Sequence, residues 1–422
     1  MSTIYYRGGA RKTAQVQTFA FAGTWEADDV IRCEFANGKR VDFTAGSTTT
    51  ATVVSNLVTA WNALDATDFP EFAEITASAN STTFTLTADT AGVPFTVTLT
   101  PLEVGLGAAD SQTIEGAGTA TTGTAATANS GPADASVAAN WSGGATPVDN
   151  DVIIIENYDG DILYGLTFSG IDPTTVHIMA SFTGQIGLPR TNESGGYPEY
   201  RTQYLTFNSI GTLNIGAGEG QGSGRIKINA GTNAACTATV YKTGSPEEDG
   251  IPAVLLTNTK TSTVLEVQGG SVGYSIFASE SGTVTTCNVT DGTLWVGSGA
   301  TLTTLNQGGG EVTLEGAVTT WNRTDGIGTI RAGAITTLNN RGGTVNLLSS
   351  GTITTYNGGP KGTLDASGDL TARTITNCNI YAGTTIKDPF GKITFSNGLI
   401  TKECRVQDFD WDVGYSRTLT PS

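Results

Sequence analysis

The sequence predicts a mainly β protein, with a small N-terminal α+β domain followed by a parallel β-helix, or β-solenoid, of about 17 to 18 residues per coil. Three observations predict this fold class. The chain has 55 glycines in 422 residues, roughly twice the usual share, and a high Thr content, as β proteins rich in turns do. A short motif returns at nearly constant spacing in the second half. A single segment has clear helical periodicity.

The repeated motif is a pentapeptide that begins with an aliphatic residue and ends with Asn, as in Ile335 to Asn339 and Ile353 to Asn357. Successive asparagines are 18, 16, 17, 18 and 22 residues apart, and a second strand-like unit ending in a Gly turn lies between them. A repeat this short, without a helix, is typical of one coil of a β-solenoid.

Stacked coils place equivalent side chains over one another at roughly 4.8 Å. The first inward aliphatic column is predicted to contain Val284, Leu302, Val318, Ile335, Ile353 and Ile375. The second is predicted to contain Leu294, Leu314, Ile330, Leu347, Leu364 and Ile380. A ladder of hydrogen-bonded amides is predicted at a corner, where Asn tolerates left-handed backbone angles, from Asn288, Asn306, Asn322, Asn339, Asn357 and Asn379.

The N-terminal part has a different pattern. Several segments of residues 14–105 alternate between polar and apolar residues like strands, and the Asn-Gly-Lys turn at 37–39 predicts a β-hairpin. One helix, laid across this sheet behind a Thr-rich N-cap region, is predicted from apolar residues at helical spacing: Val53, Leu57, Trp61 and Leu64.

These patterns predict five segments. Residues 106–137 contain mostly Ala, Gly, Thr and Ser, which predicts a linker with little to anchor a core. The full division is an extended N-terminal arm (1–13), a small α+β attachment domain (14–105), the Ala/Gly/Thr-rich linker (106–137), the β-solenoid (138–400) and a C-terminal cap or tail (401–422).

Charge and composition exclude several classes of partner. With 39 acidic and 22 basic residues the net charge is -17, which argues against a nucleic-acid or membrane partner held by bulk electrostatics. No apolar run approaches the roughly 20 residues of a membrane helix, and the first residues lack the apolar core of a signal peptide. Five scattered cysteines without a CxxC pair, and one His, predict neither a disulfide scaffold nor a zinc site. No cofactor is expected.

One irregular loop gathers the side chains that binding sites use. The candidate contact with a glycan or another subunit consists of Tyr197, Glu199, Tyr200, Arg201 and Tyr204. Exposed Tyr and Arg are common at interfaces. An aromatic-stapled loop of the chain itself is the structural alternative.

The first residues are basic in an acidic chain. The candidate assembly arm contains Tyr5, Tyr6, Arg7, Arg11 and Lys12. Its tyrosines are predicted to pack onto a neighbouring subunit while its cations meet that subunit's acidic surface. The alternative is a frayed terminus.

No catalytic or metal-ligating set is predicted. The acids of the clear coils occupy different columns, whereas glycosidases need a pair of carboxylates; these acids are Glu311, Glu315, Asp325, Asp365 and Asp369. Glu315 and Arg331 are predicted to form an exposed ion pair. Two acidic turns suit either calcium or solvent: Glu156, Asp159 and Asp161 in one, and Asp408, Asp410 and Asp412 in the other. We expect a protein that is not an enzyme.

Two stretches carry a resemblance to known proteins. The stretch ITASANSTTFTLTADTAGVPFTVTLT, after the Val/Leu/Trp helix, resembles a small domain found in structural proteins of tailed bacteriophages. ANWSGGATPVDNDVIII, followed by Gly/Thr/Asn coils, resembles the start of β-helical virion appendages and of some bacterial adhesins.

The resemblance implies a non-enzymatic virion structural protein, either a capsid decoration protein or a tail appendage. It would be made in the host cytoplasm and would associate with other virion proteins and with copies of itself, a trimer being one arrangement left open. The alternative is a tailspike or adhesin that binds or cleaves a host surface glycan.

Overall fold

The structure is a computed structural model of the chain. It describes residues 2–104, 112–114, 121–232, 235–259, 262–402, 410–413 and 420–421. Over these residues the protein is mainly β, with one α-helix. The predicted fold class is confirmed, because a large set of parallel strands forms a β-solenoid and a small domain accompanies it.

After a first short strand, β1 (Thr3–Tyr5), the chain forms the small domain. Its elements, in chain order, are β2 (Val16–Ala22), β3 (Val30–Phe35), β4 (Arg40–Thr44), α1 (Thr50–Asn62), a 3₁₀ turn (Phe72–Glu74), β5 (Ile75–Asn80), β6 (Thr83–Ala88), β7 (Val97–Leu102), β8 (Thr113–Ile114) and β9 (Thr124–Thr127). Strands β5, β6, β2 and β8 form one antiparallel sheet, with β9 also paired to β2, and β4, β3 and β7 form a second.

Helix α1 lies where the spacing of Val53, Leu57 and Trp61 predicts, but it ends at Asn62, so the predicted Leu64 lies beyond it. Val53, Leu57 and Trp61 are buried with the aromatic side chains of the sheets, and the Trp61 indole Nε1 donates a hydrogen bond to the Ile75 carbonyl at 2.9 Å. Strands β3 and β4 form the predicted hairpin, and Gly38 supplies the positive φ of its turn. The small domain therefore has its own core.

The solenoid contains the remaining strands, each paired in parallel with a strand of the next coil. In chain order they are β10 (Val152–Ile155), β11 (Thr167–Phe168), β12 (Thr175–Met179), β13 (Leu205–Phe207), β14 (Thr212–Ala217), β15 (Ile226–Asn229), β16 (Cys236–Val240), β17 (Val254–Thr257), β18 (Thr263–Val267), β19 (Ser271–Tyr274), β20 (Gly282–Val289), β21 (Thr293–Val296), β22 (Ala300–Gln307), β23 (Glu311–Leu314), β24 (Ala317–Arg323), β25 (Ile327–Ile330), β26 (Ile335–Leu347), β27 (Ile353–Asp365), β28 (Arg373–Tyr381), β29 (Thr385–Asp388), β30 (Ile393–Phe395), β31 (Leu399–Lys402), β32 (Asp410–Val413) and β33 (Thr420–Pro421).

Two series of strands run along the solenoid. Strands β20, β22 and β24, the first parts of β26 and β27, and β28 carry the repeated pentapeptide, and we call this surface the ladder face. Strands β21, β23 and β25, the second parts of β26 and β27, and β29 form the second face. Parallel pairing in register makes each coil a template for the next.

The observed register confirms the first predicted column, since Val284, Leu302, Val318, Ile335, Ile353 and Ile375 are partners from coil to coil. The second column is partly wrong. Leu314, Ile330 and Leu347 stack as expected, but Leu294 and Leu364 belong to a neighbouring inward column two residues earlier. Ile380 lies opposite Gly358 on the ladder face. A shift of two residues preserves the inward direction, so alternation alone cannot detect it.

The small domain is an insertion between the first two strands of the solenoid. Strand β1 pairs with β10, with Thr3 opposite Val152 and Tyr5 opposite Ile154. The division predicted from the sequence is therefore corrected at its N-terminal end: the described residues of the predicted arm, 2–13, are not free, and the solenoid begins at Thr3 instead of residue 138. Backbone pairing to the sheet outweighs the polar composition of this segment.

The predicted linker and tail also change. In the described part of 106–137, Ile114 is buried and β8 and β9 pair with β2, so these strands belong to the small domain. Asp134 and Ala135 instead join the solenoid, since Asp134 pairs in parallel with Tyr164 and Ala135 is buried in the solenoid core. At the other end, β32 and β33 continue the parallel pairing beyond residue 400, and the rest of the predicted cap lies outside the described residues. Within the described part of the chain, none of the helical segments has the length and apolarity needed to cross a membrane.

Candidate functional site

The loop predicted to contact a glycan or a second subunit faces the chain's own small domain. Tyr197 and Glu199 are buried, at 3% and 8% exposure. The Tyr197 hydroxyl donates to Glu74 Oε1 at 2.8 Å, and the Arg201 guanidinium contacts Glu74 Oε2 at 2.5 Å and donates from Nε to the Pro94 carbonyl at 2.6 Å. Arg201 also pairs with Glu199 at 3.2 Å. We call this group the interdomain clamp.

The other two tyrosines of the loop are also engaged within the chain. The Tyr200 ring lies 4.8 Å from the Phe35 ring of β3, and the Tyr204 hydroxyl donates to Glu280 Oε1 at 2.6 Å. Burial is the largest cause that raises the pKa of Tyr197, Tyr200 and Tyr204 above the usual value for tyrosine. The predicted binding surface is therefore corrected to an aromatic-stapled contact inside one chain.

The predicted assembly arm is likewise folded into the molecule. Tyr6 is 1% exposed, its ring packs edge-on against Trp141 at 5.0 Å, and its hydroxyl donates to the Pro132 carbonyl at 2.7 Å. Tyr5 is half-buried beneath the Arg7 guanidinium, at 4.6 Å. Arg11 and Lys12 are on the surface. Tyr6 completes the first coil, so it cannot pack onto a neighbouring subunit as predicted.

The six asparagines of the predicted ladder hydrogen-bond in series along the ladder face. Each Nδ2 donates to the Oδ1 of the previous asparagine at 2.7 to 2.9 Å, from Asn379 back to Asn288, and Asn288 donates to Glu266 at 2.6 Å. The expected corner position is wrong. The asparagines lie within strands, and none has a positive φ. The extended backbone points their amides outward and along the axis.

A buried polar column, missed by the sequence analysis, runs beside the ladder inside the solenoid. Arg323 is 1% exposed and donates to Gln307 at 2.8 Å, to Asn340 at 2.9 Å and to the Gly326 carbonyl at 2.8 Å. Burial is the largest cause that lowers its pKa to about 10. The available signal was strand alternation, because each of these side chains follows a ladder asparagine and must point inward.

Two of the acids of the clear coils are engaged in ion pairs. Asp365 pairs with Lys387 at 3.5 Å and Asp369 with Arg373 at 2.9 Å. The predicted pair of Glu315 with Arg331 is not formed. Among the described residues there is no group of three His, Cys, Asp or Glu that could hold a metal. In the first acidic turn, the Asp161 carboxylate accepts a hydrogen bond from the backbone N–H of Gln185 at 2.9 Å. Asp408 lies outside the described residues, and the side chains of Asp410 and Asp412 are not described.

A cavity of about 680 Å³, which we call the cationic notch, interrupts the surface beside the asparagine ladder. Its lining consists of Asn339, Arg341, Asn357, Gly359, Pro360, Tyr381, Ala382 and Lys402. The sequence analysis did not identify it. The available signal was the 22-residue step between Asn357 and Asn379, the longest in the repeat.

No known protein family, no curated protein and no solved structure matches this chain. Its function must therefore be inferred from the chain's own geometry.

Proposed function

We propose that this chain is a non-enzymatic structural protein in which a rigid β-solenoid projects from a small attachment domain. The observation that carries the proposal is the uninterrupted ladder, in which one hydrogen-bonded amide per coil and one aliphatic side chain per coil repeat over six coils. Each coil is held by its neighbours, which makes a stiff shaft.

The interdomain clamp supports the same proposal. Arg201 and Glu199 have side chains that are 7% and 0% exposed, and both lie where the solenoid meets the small domain. A buried, fully engaged contact of this kind fixes the angle between the domain and the shaft, as an attachment module must do to hold a projection in a defined direction.

The resemblance to tailed-phage structural proteins makes the virion the proposed location, either on the capsid or on the tail. Purified particles of a phage that encodes this chain should contain it in stoichiometric amounts by mass spectrometry. Antibody-labelled particles should carry the label at symmetric positions in electron micrographs. Presence in the host lysate with absence from purified particles would overturn the virion assignment.

Self-association is also part of the proposal, and its proposed interface with a second copy is the part of the ladder face formed by β20, β22 and β24, which lies outside the lining of the cationic notch. Two columns lie beside the asparagines: Thr285, Thr303, Thr319, Thr336, Thr354 and Thr376, and Thr286, Thr304, Thr320, Thr337, Thr355 and Asn377. None of these positions carries a charge, in a chain with a net charge of -17. Two such chains repel one another except where uncharged surfaces meet.

The test compares two double variants with equal charge. Thr304→Glu with Thr320→Glu adds two acids to the ladder face, and Thr313→Glu with Thr329→Glu adds two acids in adjacent coils of the second face, where both positions are also half-buried. Analytical ultracentrifugation should show oligomers for the native chain and the second variant, and monomers for the first. A monomeric native chain, or equal behaviour of the two variants, would refute this interface.

A receptor-binding or glycan-cleaving role is the second candidate. It is favoured by the cationic notch and by a groove of about 480 Å³ on the second face, where Trp295 lies with Glu311 and Arg331. Incubation with host surface polysaccharide, followed by an assay for new reducing ends, separates cleavage from binding. New reducing ends above those of a heat-inactivated sample would overturn the non-enzymatic proposal.

A further inference from the structure

The cationic notch arises where one coil departs from the repeat. Asn340 lies opposite Gly358 and Gly342 lies opposite Lys361, so Gly359 and Pro360 together oppose Arg341. This is a β-bulge, a local feature that often re-aims side chains near functional sites. A Cβ at residue 359 would lie 2.9 Å from Arg341 Cα, so the position requires glycine. Gly359 lies between Arg341 of the preceding coil and Tyr381 of the following coil, and because it has no side chain it leaves a gap between them.

The charges of the notch point to an anion. Among the described residues of its lining, Arg341 and Lys402 are the charged ones, both are cations, and none is an acid. Among the described residues neither cation forms an ion pair, whereas several others do: Arg32, Arg201, Arg225, Lys227, Arg373 and Lys387. In a chain with 39 acidic and 22 basic residues, unpaired cations beside a cavity make it the favourable place for a negative group.

The remaining lining suits a ring with hydroxyl groups. Tyr381 is 40% exposed and Pro360 is exposed beside the cavity, which gives an apolar surface for a flat ring face. Each asparagine amide has two N–H donors. Asn339 uses one on Asn322 and Asn357 uses one on Asn339, at 2.8 and 2.7 Å, so each amide retains a donor for a ligand.

We propose that the cationic notch binds an anionic saccharide, such as a uronate or sialate unit. The carboxylate would bind Arg341 and Lys402, the sugar ring would lie on Tyr381, and the ring hydroxyls would accept from Asn339 and Asn357. The cavity volume falls within the usual range for ligand pockets, roughly 300 to 1,000 Å³. The described lining has no carboxylate pair of the kind that glycosidases use, so we propose binding of this ligand and not its hydrolysis. The proposal does not rest on the virion assignment.

Isothermal titration calorimetry of the full chain with trigalacturonate and with 3′-sialyllactose, at low and high salt, tests the proposal. We expect at least one of these probes to bind, with an affinity that falls as salt rises. Arg341→Gln, Lys402→Gln and Tyr381→Ala should each weaken binding about tenfold or more. The control Arg40→Gln removes an exposed cation of the small domain, outside the notch, and should leave the affinity unchanged. The methyl ester of trigalacturonate, which lacks the charge, should bind about tenfold more weakly.

Three results would overturn the proposal. The first is no binding of either probe at low salt. The second is equal weakening by Arg40→Gln, which would indicate bulk electrostatics. The third is inorganic sulfate binding as tightly as the saccharides, which would indicate a simple anion site. Circular dichroism of each variant confirms that the fold is retained, and particle incorporation, measured separately, remains the test of the proposed function.

Discussion

The two halves of the solenoid hold their coils together in different ways. From β20 to β28 each coil has an aliphatic residue and an asparagine at equivalent positions, and the asparagine side chains hydrogen-bond directly from one coil to the next. From β1 to β18 the coils carry long loops and the inserted small domain, and their contacts join residues far apart in sequence, as Arg201 and Glu74 do. In the regular half every coil contributes similar stabilising contacts with its neighbours, whereas the stability of the irregular half depends on a few individual contacts.

The largest expected effect tests the regular half. Ile335→Asp places an unpaired charge at a position that is 2% exposed, so we expect a loss of about 4 kcal/mol or more in the free energy of unfolding. Thr337→Asp, on the outward side of the same strand, should change it by about 0.5 kcal/mol or less. Urea unfolding followed by circular dichroism measures both.

Deletion of residues 319–335 sharpens this test. The deletion removes one coil and leaves Val318 in the place of Ile335, its observed partner in the ladder-face column. Because coils contact mainly their neighbours, the shortened chain should remain folded and lose less stability than Ile335→Asp. A deletion more damaging than the single substitution would mean that the coils do not behave as interchangeable units.

The first coil of the irregular half should be almost as sensitive. Tyr6→Ala removes a side chain that is 1% exposed and the hydrogen bond to Pro132, which should cost about 3 to 4 kcal/mol. Tyr5→Ala, at the half-buried neighbouring position, should cost less than about 1 kcal/mol. Equal melting temperatures for the two variants would show that the N-terminal strand is not part of the solenoid core.

The interdomain clamp is the next test of the irregular half. Arg201→Met leaves Glu199, whose side chain is 0% exposed, without its cation, and we expect a loss of about 3 kcal/mol. Arg32→Met breaks the exposed pair with Asp42, at 2.8 Å, and should cost clearly less than Arg201→Met, because water screens exposed ion pairs. Urea unfolding measures the stability of both variants. If the two variants lose similar amounts of stability, the interdomain clamp contributes no more than an exposed ion pair.

The same difference explains what could be predicted from the sequence. In the regular half the same pattern occurs six times, so the alignment of each copy is supported by the other five. The first inward column and the order of the asparagines could therefore be predicted. The second column failed because two inward positions lie in each short strand, and Leu294 and Val296 fit the pattern equally well.

In the irregular half the decisive contacts are not repeated. Nothing near Tyr6 in the sequence indicates Trp141 or Pro132 as its partners, and nothing near Arg201 indicates Glu74. Polar and aromatic residues outside any periodic pattern are predicted to be exposed, although long-range packing buries them in this protein. The cationic notch was missed for a related reason, since it arises from a bulge, and a bulge breaks the pattern by which the coils are recognised.

A single ladder asparagine should matter less than either the core or the clamp. Asn322→Ala removes two amide hydrogen bonds, at 2.9 Å to Asn306 and at 2.8 Å from Asn339, so a loss of about 1 to 2 kcal/mol is expected. Asn346→Ala, at an outward position on the second face, should lie within about 0.5 kcal/mol of the native chain. If both substitutions have the same effect in urea unfolding, the ladder adds nothing to the stacking of the coils.

The smallest effect concerns pH and the join between the first two coils. Asp151 Oδ1 accepts hydrogen bonds from the Ser2 hydroxyl at 2.6 Å and the Ser2 amide at 3.2 Å, and Oδ2 accepts one from the Val148 amide at 3.1 Å. Burial raises the pKa of this carboxyl, but the hydrogen bonds together outweigh burial and leave it below its usual value. A lowered pKa in the folded state stabilises the fold above the ordinary aspartate pKa, and this contribution disappears as pH falls through the folded-state value.

Asp151→Asn should therefore cost about 1 kcal/mol at pH 7, and the difference from the native chain should narrow as the pH falls below about 4. Urea unfolding at pH 7, 5 and 3 measures the trend, with Asp159→Asn as the control at an exposed position of a nearby turn. The control should follow the native chain at every pH. A difference for Asp151→Asn that is constant with pH would mean that the charge of this carboxylate does not contribute to joining the first strand to the solenoid.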